Sequence, residues 1–379
     1  MFDTRFLVCL LALNLSQLCL IAKDSSATER NELILIDGPG ALDAGPTDLN
    51  DRGEIVGLCG SLPGVSQTFR WTESSGAQVL TTNPVIGEAD IPYINASGMI
   101  ALSGSVSGTG HAFRYDDRNG LRDLGTLGFG SYTTAINSKG DVAGYSYTSG
   151  RFSHAFIWTE KTGMQDLGTL GGSTSAATSI NDRGEVTGTA ASADGSNHAF
   201  LWSKSAGMKD LGVPAGYVHS AAAGINQRGE IYGTIRKPNT LLAFYWSEST
   251  GFIVIQPNGR LISRPLGMTS RGEIVLSDAL GHVFFWSARD GFTDIGTLGG
   301  NETHASGMND HGEVVGYSTV STGAIHSFLW TPFGPKARVM MDLGDTCMAV
   351  NISNSGIIAG FANIPPHQRL CIWNTPSRP

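Results

Sequence analysis

One pattern recurs down almost the whole chain, and a unit too short to bury a core of its own restricts the fold to copies that stack or close on one another. Its clearest copy reads Ala177-Thr-Ser-Ile-Asn181-Asp-Arg-Gly184-Glu-Val-Thr-Gly188, then His198-Ala-Phe-Leu-Trp202, then Gly207-Met-Lys-Asp210-Leu-Gly212. An Asn-x-x-Gly element, or a Thr or Ser variant of it, begins at Asn50, Asn95, Asn137, Asn181, Asn226, Thr269, Asn309 and Ser353. The aromatic residue that closes the second element falls at Trp71, Tyr115, Trp158, Trp202, Trp246, Trp286, Trp330 and Trp373. Both rulers advance in steps of 40 to 45 residues and both count eight units.

Each unit reads as four short strands. The first is rich in Ala, Ser, Thr and Gly and ends at Ile-Asn, the second is Glu-Val-x-Gly, the third His-Ala-Phe-x-Trp and the fourth Gly-x-x-Asp-Leu-Gly. Asn followed three residues later by Gly suits a type I turn closing on a bulge, where the Gly takes positive φ. The third strand is apolar on both faces, as in a sheet packed between two others. Four strands in about 43 residues match a β-propeller blade, whereas a β-helix needs much shorter rungs. The expected fold is therefore all-β, an eight-bladed β-propeller of four-stranded antiparallel blades. A seven-bladed ring, with the 40-residue step near Thr269 absorbed as an insertion, is the alternative. Crowding at the axis accounts for the small residues of the first strand.

The two ends are complementary. The last unit stops at Trp373 without a fourth strand, and Leu33-Ile-Leu-Ile36-Asp37 precedes the first unit without a partner. Residues 33 to 37 are expected to supply the outer strand of the last blade, closing the ring and leaving no long free edge. Ahead of them, Arg5 precedes an apolar run from Phe6 to Ala22, the pattern of a secretory signal peptide. Cleavage after Ala27 fits the small residues at Ser25 and Ala27, with Ala22 a poorer site and an uncleaved anchor the alternative. The division is a signal peptide over 1–27 and a single propeller domain of eight repeats over 28–379, with no membrane span once the leader is removed.

Composition agrees and narrows the class of partner. The chain has 50 Gly in 379 residues, 41% hydrophobic residues and only 15% charged ones. A net charge of −8 repels a phosphate backbone and argues against nucleic acid as a partner. Removal of the leader leaves Cys59, Cys347 and Cys371, too widely spaced for a zinc pair. Each reads as a small buried apolar side chain, and a Cys347–Cys371 bridge is the alternative.

The triplet His-Ala-Phe at 111–113, 154–156 and 198–200, with His282-Val-Phe and His326-Ser-Phe as variants, resembles the bacterial extracellular HAF-repeat family. So do Asp-Leu-Gly-Thr-Leu-Gly at 123–128 and 166–171 and Asp294-Ile-Gly-Thr-Leu-Gly299. The resemblance spans residues 33 to 373 and implies an exported repeat protein of the cell surface or medium. It implies no reaction. Units five and eight, with Leu242-Ala-Phe and Arg369-Leu-Cys, lack the His.

Repetition itself points to scaffold. The recurrent His residues are expected to make structural hydrogen bonds, because equivalent positions in neighbouring blades lie too far apart to share one ion. The recurrent Asp residues 123, 166, 210, 294 and 342 read as turn formers. Ca²⁺ is conceivable there but lacks the alternating acidic loop of a calcium site. The Glu after each tip Gly (54, 185, 230, 273, 313) reads as solvated. No metal ligand set, no cofactor motif and no catalytic motif of the His-Glu-x-x-His, Gly-x-Ser-x-Gly or P-loop kind is present.

Candidate ligand contacts lie where the repeat breaks: Tyr132, Tyr217, His219 and His304, with the segment 81–93 that carries Glu88, Asp90 and Tyr93. Units five and six add Arg236, Lys237, Arg260, Arg264 and Arg271, a basic group suited to an anionic glycan or carboxylate. The expected function is a non-catalytic binding scaffold, monomeric, secreted, periplasmic or at the cell surface, with a glycan or protein ligand at one mouth of the channel. The alternative is a polysaccharide lyase or hydrolase, which needs His219, His304 and a carboxylate within hydrogen-bond reach of one another.

Overall fold

The computed structural model describes residues 32–60, 66–80, 91–256, 262–278, 280–333, 338–365 and 367–374. They form eight antiparallel four-stranded sheets arranged in a ring, an eight-bladed β-propeller. Blade 4 shows the plan: Gly171–Ile180 lies innermost, followed outward by Val186–Ser192, Asn197–Ser203 and Gly207–Gly212. Blade 8 is composite. Its strands Met348–Ile352, Ile357–Ile364 and His367–Asn374 are completed by Glu32–Ile36 from the amino end, with Leu33 opposite Trp373 and Ile36 opposite Leu370. The expected closure is thus observed. Among the described residues no helix is long and apolar enough to cross a membrane.

The apolar third strand packs as its sequence requires. Ala155, Phe156, Ile157 and Trp158 are all buried, as are Phe69, Phe200, Phe244 and Phe328 at the Phe position of other blades. Core clusters run from one blade into the next: Ala143 and Ile157 of blade 3 pack with Ala177, Val186 and Phe200 of blade 4.

The recurrent Gly of the second strand has a steric cause. The inner strand carries a bulge after the residue opposite that Gly, as between Ala177 and Ser179. A Cβ on Gly188 would stand 2.0 Å from the Ala176 carbonyl oxygen, and one on Gly144, Gly233 or Gly316 would meet an equivalent carbonyl. The bulged residues, Thr47, Thr134, Thr178 and Ser306 among them, turn to the axis and line a cavity of about 480 Å³. Their hydroxyls donate to the next blade, as Thr178 does to Ala222 O at 3.0 Å and Ser306 to Ala349 O at 2.7 Å.

The tips make a second circumferential stitch. Asn181 Oδ1 accepts from Arg183 N and Glu185 N, and its Nδ2 donates to Glu185 and to Asn226 O of the following blade at 3.1 Å. Asn50, Asn95, Asn137, Asn226 and Asn309 repeat the inter-blade bond. Asn354 N closes the circle on Asp51 at 2.6 Å. This corrects the reading of the tip Glu residues as solvated. Glu54 and Glu273 are buried, and Glu54, Glu185, Glu230 and Glu273 each accept both from the tip Asn or Thr and from an Arg two residues back.

The cysteines also depart from the principal expectation. Cys347 and Cys371 form a disulfide, 24 residues apart in sequence, and among the described residues Cys59 is the one free thiol, and it is buried. Cys347 immediately precedes the inner strand of blade 8, and Cys371 lies in the third strand, opposite Gly360 of the second. The bond ties the inner strand to the strand that receives the amino-terminal one.

Candidate functional site

Antiparallel blades divide the turns between two mouths. The Asn tips and the turns between third and fourth strands share one mouth. The turns between second and third strands share the other with the connections from blade to blade. At the first mouth the Arg and Glu of four tips pair with each other, as Arg52–Glu54, Arg183–Glu185, Arg228–Glu230 and Arg271–Glu273.

The repeated His and Asp residues satisfy each other. His111, His154, His198 and His326 each place Nδ1 at 2.8 to 2.9 Å from Asp123, Asp166, Asp210 and Asp342. Each of these carboxylates also accepts from the N–H two residues on, at Gly125, Gly168, Gly212 and Gly344, which holds the Asp-Leu-Gly turn. Unit six differs, since His282 bonds Asp278 instead and Asp294 caps its turn alone. The motif is thereby spent on structure. Among the described residues no group of three His, Cys, Asp or Glu could hold a metal ion.

Tyr132, Tyr217, His219 and His304 lie at the second mouth, spread over blades 3, 5 and 7. Tyr132 and His304 occupy equivalent inner-strand positions of blades 3 and 7, opposite Tyr145 and Tyr317, and each stacks on its partner with ring centroids 5.1 and 4.8 Å apart. His304 has Glu302 at 3.9 Å. On blade 5, His219 Nδ1 accepts from Asn197 N at 3.1 Å, and Lys237 Nζ lies 5.3 Å from the ring centre of Tyr217. His219 stands opposite Arg236 in the register. Arg271 belongs to the first mouth, so the basic group is divided between the two. Glu88, Asp90, Arg260 and the side chain of Arg264 lie outside the described residues, as does the expected leader. Tyr93 pairs with Ala101 in the short inner strand of blade 2.

Asp48 is a group that the sequence did not single out. Its carboxylate accepts from Leu49 N and Ile94 N at 2.9 and 3.0 Å, with Asn351 Nδ2 at 3.3 Å, so it joins blades 1, 2 and 8. Burial outweighs these donors and pushes its pKa up to about 6. The corresponding inner-strand positions hold Tyr93, Ala135, Ser179, Gly224, Gly267, Gly307 and Asn351, so a carboxylate stands there in blade 1 alone, and that difference from its siblings is the available signal.

Blade 3 carries a larger departure from the repeat. Phe129, Tyr147 and Phe152 are large, exposed and at the second mouth. Tyr147 meets both Tyr132 and Tyr145 edge-on at 6.4 and 6.1 Å, and the Arg151 guanidinium lies 5.0 Å from the ring centre of Phe129. The signal was again departure from the repeat: Tyr145-Ser-Tyr147 stands where unit four has Thr189-Ala-Ala191.

A scan against protein-family models finds no match, and a search of curated proteins finds none. Solved structures match by fold. Dipeptidyl peptidase 4 from Porphyromonas gingivalis aligns over 86% of this chain and 58% of its own, with 11% identity and a TM-score of 0.52. A puromycin hydrolase aligns over 84% and 50%, with 12% identity and a TM-score of 0.47. TolB from Acinetobacter baumannii aligns over 90% and 66%, with 9% identity and a TM-score of 0.40. The chain spans only 50 to 66% of these proteins, and at such identities the likeness is one of fold alone.

Proposed function

We propose that the chain is an exported, non-catalytic binding scaffold of the cell surface or periplasm, presenting a glycan or protein ligand-binding surface at the mouth formed by the second-to-third-strand turns and the inter-blade connections. One observation carries this reading. The repeated polar side chains are consumed in holding turns within blades and in joining each blade to the next, whereas aromatic and cationic side chains that differ between blades gather at that mouth. Rigid loops on a closed platform suit recognition. His219 and His304 stand two blades apart with separate partners, which weighs against an acid–base pair. The Cys347–Cys371 bond suits an oxidising compartment, in keeping with export.

The test is a glycan-array screen of the secreted protein, with and without Ca²⁺, followed by size analysis of each bound oligosaccharide after prolonged incubation. Retention of intact ligand is the expected result. Release of shortened or unsaturated products would overturn the scaffold in favour of a lyase or hydrolase.

A further inference from the structure

We propose that the blade 3 end of this mouth is a subsite for a carboxylated polysaccharide, formed by Phe129, Tyr132, Tyr145, Tyr147 and Phe152 with Arg151 as the carboxylate's counter-charge. The proposal rests on the binding reading above and gives its ligand a chemical class. Phe129, Tyr147 and Phe152 are 47, 38 and 50% exposed, and the stacked pair Tyr132–Tyr145 supports Tyr147 from beneath. Flat amphipathic rings of this kind pack on the C–H faces of sugars, and the exposed Tyr147 presents one of them to solvent.

Arg151 supplies the second, independent observation. Its turn is closed by a bond from Arg151 N to Thr148 O at 2.8 Å, and the residue has φ 64°, a left-handed backbone that disfavours side chains. The same place in the matching turns of blades 4, 6 and 7 is Gly195, Gly281 and Gly323. An arginine kept where the backbone favours glycine is a local cost that folding does not require, and such outliers gather at binding sites. Among the described residues Arg151 has no ion pair, and its guanidinium rests over Phe129 at the rim.

Charge selects the occupant. From Leu124 to Thr133 and from Tyr145 to Ser153 the sequence has no carboxylate, in a chain of net charge −8. The acid of the corresponding blade 4 turn, Asp194, is held by Ser192 and Ser196. A neutral polymer would use the rings and leave the arginine idle. A uronate chain uses both, its carboxylate meeting the fork of Arg151 while the rings hold the sugar faces. Lys237 over Tyr217 on blade 5 repeats the pairing of cation and aromatic along the same rim.

The experiment measures binding of the full secreted chain to polygalacturonate, alginate and hyaluronate, and to the same polymers after reduction of their carboxylates to alcohols. Arg151→Gly removes the charge while relieving the backbone, so its thermal stability should match or exceed that of the parent. Tyr147→Ala removes the central ring, and Lys161→Ala, at the opposite mouth, is the control. At least one native polymer should bind about tenfold or more tightly than its reduced form, and Arg151→Gly and Tyr147→Ala should each lose about tenfold in affinity while the control loses nothing. Equal binding of native and reduced polymers, or binding unaffected by both variants, would overturn the subsite. Loss on Tyr217→Ala or Lys237→Ala instead would move the ligand to blade 5, overturning the subsite but sparing the scaffold. Absence of polysaccharide binding, with or without capture of an apolar peptide, would overturn the carboxylated ligand, whereas shortening of the polymer would overturn the scaffold itself.

Discussion

A carboxylate whose folded-state pKa lies above its ordinary value opposes folding once it must ionise, and Asp48 is such a group. Its ordinary value of 3.8 is raised to about 6 because three blades surround it, despite bonds from two backbone N–H groups. The folded chain therefore keeps a proton that the unfolded chain has already released between those two values. Stability is greatest below 3.8 as far as this group is concerned, and declines as pH rises towards about 6. Asp48→Asn removes the titration and keeps one acceptor. The melting temperature of the parent, taken relative to Asp48→Asn, should fall across that window and be level above it. A difference that is level throughout would mean that Asp48 ionises as it does in the unfolded chain.

At the scale of the element, the unit is legible because most of its recurring residues answer a backbone or packing requirement that repeats with them. The positive φ of 76° at Gly184, the carbonyl facing Gly188 and the burial of Phe200 on a two-sided strand each recur blade by blade. Gly188→Ala drives a methyl group onto the Ala176 carbonyl and should cost about 2 to 3 kcal/mol in denaturant unfolding without altering the fold. A cost below about 0.5 kcal/mol, within the range of ordinary surface changes, would show that the bulge relaxes freely. Partnership between side chains was less visible. The sequence marks the His and Asp of the motif as structural, but their bond to one another depends on a diagonal across two strands that spacing alone does not disclose. The tip Glu looked solvated because it follows a turn, yet the side chain folds back onto the Asn that begins the same turn. The aromatic surface of blade 3 escaped notice because no short motif announces it. It emerges only when Tyr147, Phe152 and Phe129, distant by up to 23 positions, are placed on one rim.

For the whole molecule, the ring must resist opening at the blade where its two ends meet. The other blades are each a continuous stretch of chain, whereas blade 8 depends on Glu32–Ile36 pairing with His367–Asn374. The Cys347–Cys371 bond strengthens the same blade from within, holding its inner strand to the strand that receives the amino-terminal one. The two devices protect different things. A crosslink over 24 residues restricts mainly the unfolded chain and is worth about 3 kcal/mol on chain-entropy grounds. The amino-terminal strand instead covers a row of backbone donors and acceptors that would otherwise invite a second molecule. Cys347→Ser with Cys371→Ser should therefore keep the closed ring and the association state of the parent while melting at a lower temperature. Deletion of residues 32–36 should expose the strand from His367 to Asn374 and drive association even with the disulfide intact. Light scattering combined with thermal unfolding separates the two outcomes. A deletion variant with the parent's association state and melting temperature would show that the ring closes without its amino-terminal strand, and association of the double Ser variant beyond that of the parent would show that the bond, rather than the strand, covers the edge.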